Sequence, residues 1–315
     1  MTEAAALRAT WVLCAVMSMG SASAIGLRVK TGQAPWGVES IRCDSKPQLE
    51  FVRPGRALGE VAVRFRGPGG EWTDLKAGGQ TTEVATAGAK LRLKQEFSST
   101  AGRLQWSIAL ENRGVARAEV GDLAISLPMN DVYTRSPEET FERRVMRHAF
   151  ISGEGSWVYW QPAGGGGPFL LMSAAPGTGL EFFTAGGMDY ARGDGEYAVY
   201  VHSAAYAAGE KRGSWRQKRT SLVLGPGERK TYRFAFTAAE TVNQLRASIV
   251  REGGIDVRVA PGMVVPRGVP VRLALRSALR IDALTAEHPD GTSVQVVPGR
   301  DETLAKSAGC SSFAL

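Results

Sequence analysis

A chain of 315 residues with 43% hydrophobic residues can fill a sizeable core, and its 38 glycines against 22% charged residues favour many turns and short strands over a helical bundle. Three cysteines and three histidines, scattered along the chain, exclude a disulfide framework and a structural zinc site, so neither a metal nor another cofactor is expected. The formal net charge of +7 admits an anionic polymer, a membrane surface or nucleic acid as partner.

The chain opens MTEAAALRATWVLCAVMSMGSASA, with Arg8, an apolar run from Trp11 to Met19, and Ala22-Ser23-Ala24 in the small-x-small arrangement that signal peptidase accepts. Residues 1–24 therefore read as a secretory signal. The run is too short for a membrane span, and Leu13 before Cys14 argues against a lipoprotein anchor. A soluble exported protein, periplasmic or extracellular, is the expectation, and nucleic acid falls away as a partner. Cleavage removes Arg8 and Glu3 together, so the basicity belongs to the folded part. It concentrates in EKRGSWRQKR (Glu210 to Arg219), which reads as a solvated hairpin.

Period-two alternation marks the strands. In RLQWSIALEN, Leu104, Trp106, Ile108 and Leu110 face one way and Gln105, Ser107 and Glu111 the other. KLRLKQEF sets Leu91, Leu93 and Phe97 against Arg92, Lys94 and Glu96, and EYAVYVHS sets Tyr197, Val199 and Val201 against Ala198, Tyr200 and His202. Gly225-Pro226-Gly227 between TSLVL and KTYRFAF predicts a hairpin. Strands at short intervals with no helical pattern between them predict an all-β protein, a large antiparallel β-sandwich over residues 25–237. A linker helix over 238–254 follows, with Thr237 and Glu240 in capping-box spacing, Val242, Leu245 and Ile249 at helical spacing, and Gly253-Gly254 as the stop. Residues 255–300 alternate again, but they are too few for an immunoglobulin-like sandwich and predict only a partial one. Residues 301–315 read as an irregular tail, as though the chain were cut short.

Between the strands lies HAFISGEGSWVYWQPAGGGGPFLLM, His148 to Met172, where Trp157, Tyr159 and Trp160 precede four glycines. Aromatic faces can stack on the apolar C–H surface of sugar rings. If SWVYW is extended, Trp157 and Tyr159 share one face and Trp160 takes the other, so three rings cannot make one platform. One face is expected in the core, leaving one or two rings for a ligand, with the glycines forming a loose connection to the buried strand PFLLMSA.

Three stretches together carry a resemblance: GDLAISLPMNDVYT (Gly121 to Thr134), the aromatic stretch followed by GTGLEFF (Gly177 to Phe183), and IDVRVAPGMVVPRGVPVRLALRS (Ile255 to Ser277). Their order and spacing resemble a family of exported bacterial proteins, of unknown function, associated with six-hairpin glycosidases. The resemblance implies an amino-terminal β-supersandwich of the galactose-mutarotase kind, a helical linker, a small β domain, and then an (α/α) six-hairpin barrel for which this chain has no counterpart. A non-catalytic, carbohydrate-associated region that binds or frames a polysaccharide or oligosaccharide for that missing barrel is the leading expectation. Its candidate contacts are Trp157, Tyr159, Trp160, Glu181, Asp131 and His148.

Glycoside hydrolysis uses two carboxyl groups across the scissile bond. Asp131, Glu154 and Glu181 are available, but spacing assigns no pair among them. Asp131 in PMNDVY reads as a turn residue bonding its own backbone, and Glu181 as the partner of an arginine. A mutarotase-like or lyase enzyme with its site on the sandwich is the alternative, and it requires His148 or His202 to converge with a carboxylate in one concave pocket. A purely structural scaffold is a further alternative. No GxSxG or GxxxxGK[ST] motif occurs.

Overall fold

The computed structural model describes residues 26–86, 88–100, 102–185, 197–209, 218–261, 272–278, 297–299 and 310–314. The expected signal and most of the basic run, residues 210–217, lie outside them. Strands β1 (Leu27–Gln33) and β2 (Trp36–Cys43) pair as an antiparallel hairpin. Then come β3 (Val61–Arg66), β4 (Thr73–Ala77), β5 (Thr81–Thr86), β6 (Ala89–Thr100), β7 (Arg103–Asn112) and β8 (Ala118–Leu127). Helix α1 (Pro137–Arg143) precedes β9 (Val145–Phe150), β10 (Trp157–Pro162), β11 (Phe169–Ala174), β12 (Phe182–Ala185) and β13 (Tyr197–Ser203). Helix α2 (Ala204–Gly209), β14 (Leu222–Leu224), β15 (Arg229–Ala239) and helix α3 (Val242–Arg251) follow, and β16 (Asp256–Ala260), β17 (Arg272–Arg276), β18 (Val297–Gly299) and β19 (Cys310–Ala314) end the described chain.

Two antiparallel sheets form the body. One has the order β5-β6-β7-β15-β11-β10-β9, the other β12-β13-β8-β3-β4 with β14 paired to β8. The inward residues of both sheets fill one hydrophobic cluster. The alternation expected for β7 holds: Leu104, Trp106, Ile108 and Leu110 are fully buried, and Gln105 is exposed. The inward register of β6 also holds Gln95, a fully buried amide. Its side chain accepts from Trp106 Nε1 at 3.1 Å and donates to the carbonyls of Gly59 and Gly79, so the polar group is satisfied inside the core. The strand PFLLMSA is buried at every position, as a central strand covered on both faces must be.

Several expectations change. TSLVL and KTYRFAF do not form a hairpin: β14 pairs with β8 in one sheet, and β15 pairs with β7 and β11 in the other. The Gly225-Pro226-Gly227 turn, with the Glu228 amide bonded to Gly225 O and Gly227 at φ +76, carries the chain across the core instead. A tight turn has the same residue chemistry whether its arms bond to each other or cross between layers. Thr237 does not cap the helix either. Strand β15 continues to Ala239, and the capping box is Thr241 with Gln244, each bonding the other's backbone amide. The glycines of GGGG make a tight turn rather than a loose loop: a Cβ on Gly167 would sit 2.2 Å from the Glu240 carbonyl oxygen, and one on Gly164 3.0 Å from that of Phe141. In the expected irregular tail, Cys310–Ala314 pair on one side with β17 and on the other with β18, completing a four-stranded sheet, because ladder bonds run between backbones and require no side-chain alternation.

Helix α3 lies on the outer face of the larger sheet, where Leu245 and Ile249 cover Phe169, Leu171 and Ala239, with Trp157 and Tyr159 packed beside them. No described helix is long and apolar enough to cross a membrane.

Candidate functional site

The sequence candidates fall in three separate places. On the outer face of β10, Trp157 and Tyr159 sit directly across from Phe150 and His148 of β9. The rings stack on one another: His148 on Tyr159 at 4.6 Å between centroids, Phe150 on Trp157 at 5.8 Å, and Trp157 on Tyr159 at 5.6 Å. Trp157 Nε1 donates to the carbonyl of Ile255 at 2.8 Å, which fastens the ring to the segment leading into β16. Burial holds the His148 pKa below the ordinary histidine value. The row packs ring against ring beside the α3 cluster, with each of these side chains half-buried. The split expected for SWVYW is found, with Trp160 on the inner face and fully buried. As a sugar-stacking ring Trp160 is therefore corrected: it gives no face to solvent.

The second place is a buried chain of four side chains. Glu181, 5% exposed, accepts from Ser203 Oγ and from the Thr220 amide at 2.9 Å each, and from Thr220 Oγ1. Among the described residues Glu181 is thus the partner not of an arginine, as expected, but of hydroxyls and an amide. Because Thr220 gives its hydroxyl proton to the carboxylate, it accepts from His202 Nδ1 at 2.7 Å, and His202 Nε2 accepts from the Tyr232 hydroxyl at 2.6 Å. Burial, with Lys230 nearby, pushes His202 down to about 4, and burial, then Glu181, pushes the Tyr232 phenol up. A histidine and a carboxylate do converge, as the enzyme alternative required. They do so between the sheets, with both imidazole nitrogens bonded and Tyr232 only 1% exposed, so no base is left for a substrate. His148, on the outer face of β9, is not part of this group.

The third place lies where the larger sheet ends in β9 and the smaller in β12 and β13. Arg147 occupies the inward register of β9, opposite the buried Trp160. Its Nη1 donates to Asp131 Oδ2, and its guanidinium lies 3.6 Å above the ring of Tyr197 at the start of β13. Burial raises the Asp131 pKa against the lowering effect of Arg147 and of the residue's own backbone amide, so the turn role expected for Asp131 is joined by an ion pair. The Trp160 indole N–H has no well-formed hydrogen bond, though it faces the same carboxyl and adds a small lowering. Burial pushes Tyr197 up to about 12. Tyr133, 58% exposed, stands beside the pair, and burial, then Asp131, raises its pKa. Sequence reasoning missed Arg147, Tyr133 and Tyr197. The available signal was an arginine in phase with Val145, at an inward position of the apolar strand VMRHAF.

A cleft of about 600 Å³ near α1 offers less. Its Arg144 is bonded to Asn130 and Glu139, and its Glu50 to Ser40, Arg42 and two amides. Among the described residues no group of three His, Cys, Asp or Glu comes together to hold a metal ion.

Residues 59–307 match a family of unknown function, DUF5695. No curated protein matches the sequence. Among solved structures, a polysaccharide lyase superimposes with a TM-score of 0.65 at 16% identity, over 94% of this chain and 43% of the lyase. The chain therefore spans less than half the length of that protein, and the likeness is one of fold. A putative aldose 1-epimerase from Escherichia coli K12 aligns over 68% of this chain and 96% of its own, with a TM-score of 0.38 and 12% identity.

Proposed function

The chain belongs to the family of unknown function DUF5695, and from that starting point we propose that it is a polysaccharide-binding β region of a longer, exported, carbohydrate-active protein. In this reading the sandwich presents polymer to a catalytic (α/α) six-hairpin barrel outside this chain, and residues 1–24 are removed on export. The β-sandwich, the linker helix and the small β sheet act as one non-catalytic frame. The observation that carries the reading is the group at the β9 edge: the half-exposed Tyr133 ring beside the Asp131–Arg147 pair, on a fold shared with a polysaccharide lyase. An exposed ring supplies an apolar face, and the charged pair supplies donors and acceptors for hydroxyls. In this reading nucleic acid is not a partner and no segment spans a membrane.

Affinity electrophoresis of residues 25–315 through gels containing neutral and acidic polysaccharides tests it. Retardation by at least one polymer is expected. Free migration through all of them, with a β-rich circular dichroism spectrum showing the fold intact, would overturn the reading. The amino-terminal residue of the exported protein is expected to be Ile25.

A further inference from the structure

Arg147 carries more donors than its neighbours use. A guanidinium has five N–H groups in a fixed plane. Among the described residues Arg147 makes one hydrogen bond, from Nη1 to Asp131. The side chain is 26% exposed, and among the described residues neither Nε nor Nη2 has a hydrogen bond. They form the side-on edge of the guanidinium, the pair of parallel N–H groups that matches both oxygens of a carboxylate. Tyr197 beneath the plane and Asp131 at Nη1 hold that edge in one orientation, which reduces the ordering cost of binding. An arginine at the inward register of an edge strand also protects the edge from pairing. That role needs only the charge, and it explains neither the stack on Tyr197 nor the open fork.

We propose that Arg147 is the carboxylate-reading group of this edge, so that the polysaccharide it binds is a uronic-acid polymer. The ligand carboxylate takes Nε and Nη2, and the Tyr133 ring covers the adjacent sugar face. The net charge of +7 attracts polyanions of any kind, whereas the fork requires a ligand group whose two oxygens meet both N–H groups at once. This inference rests on the polysaccharide-binding reading, and the following test separates the two.

The probes are polygalacturonate, alginate and glucuronan, each beside its carboxyl-reduced form, with dextran sulfate as a polyanion lacking carboxylates. Affinities of residues 25–315 are measured at 0.3 M salt, where attraction by overall charge is largely screened. At least one uronate polymer is expected to bind tenfold or more tighter than its reduced form and tighter than dextran sulfate. Arg147→Lys, which keeps the charge and loses the fork, and Arg147→Met should both abolish that preference, whereas Tyr133→Ala should weaken acidic and reduced polymers alike. Equal binding of acidic and reduced polymers, a preference for dextran sulfate, or a uronate preference that survives in folded Arg147→Lys would overturn the inference and leave polysaccharide binding standing. If no polymer binds, both fall.

Discussion

Glu181, His202 and Tyr232 on one side, and Asp131, Arg147 and Tyr197 on the other, are nearly the same inventory: a carboxylate, a nitrogen base or cation, and a phenol raised by burial. They differ in what is left over. In the first group the carboxylate takes three donors and both imidazole nitrogens are bonded, so the chain of hydrogen bonds is closed. In the second, two guanidinium nitrogens have no hydrogen bond among the described residues and an indole N–H goes without a well-formed bond. The first joins the two sheets across the interior; the second stands where β9 ends the larger sheet and β12 and β13 end the smaller. Buried ionisable groups do not by themselves mark a site. Unused hydrogen-bonding capacity is what separates the two groups.

The contrast predicts opposite responses to mutation. Glu181→Ala should give the largest stability loss, about 4 kcal/mol, because it strands the Thr220 amide and removes three charge-assisted hydrogen bonds. Urea unfolding should show the shift in midpoint, while polysaccharide affinity of the folded fraction stays unchanged. A loss of affinity with unchanged stability would move the site to the interior. His202 provides a pH test of the same closed network. Its folded pKa of about 4 lies below the ordinary histidine value, so the unfolded chain takes up a proton first as pH falls. The stability this group contributes is fully present above pH 6.5 and is lost as pH drops from 6.5 to 4, by about 3 kcal/mol. In His202→Gln that part of the pH dependence should disappear. A wild-type slope retained in the variant would show that another group titrates.

How far these regions were legible in the sequence follows from the range of the interactions involved. Alternation in β6, β7 and β13 is local, and it placed Leu91, Trp106 and Val199 on the correct face, whereas in β10 it separated Trp160 from Trp157 and Tyr159 without telling which side faces the core. Whether β14 and β15 bond to each other or cross between sheets depends on partners far along the chain, so the glycine turn alone was read as a hairpin. Gln95 occupies an apolar phase as an amide because Gly59 and Gly79 bring carbonyls to it, and nothing in KLRLKQEF reveals them. Asp131 and Glu181 were singled out as acids, yet the partners that set their roles, Arg147 and Thr220, are 16 and 39 residues away. Residue type was readable there, whereas pairing was a product of sheet register.

A smaller effect tests the aromatic row outside the larger sheet. Trp157→Phe keeps a ring against Phe150 and Tyr159 but removes the hydrogen bond to the Ile255 carbonyl. The expected cost is about 1 kcal/mol, seen in the unfolding midpoint, with hydrogen exchange quickening first around Gly155 and Ile255, whose backbones are bonded to each other. Affinity for polysaccharide should not move. If it fell together with the loss of that bond, the row would have to be counted as part of the binding surface.

The smallest change belongs to the exposed ring at the β9 edge. Tyr133 is more than half exposed, so replacing it should leave stability within about 0.5 kcal/mol, the range of ordinary surface substitutions. Its influence on binding separates ring from hydroxyl. If the ring covers a sugar face, Tyr133→Phe should bind within about twofold of the parent and Tyr133→Ala about fivefold more weakly, a difference of about 1 kcal/mol that matches one aromatic contact. If the phenol instead acts through its hydroxyl beside Asp131, Phe and Ala should weaken binding equally. Titration of affinity for a carboxyl-reduced polymer against both variants tells the two apart, because that polymer removes the contribution of Arg147 and leaves the ring as the principal contact at this edge.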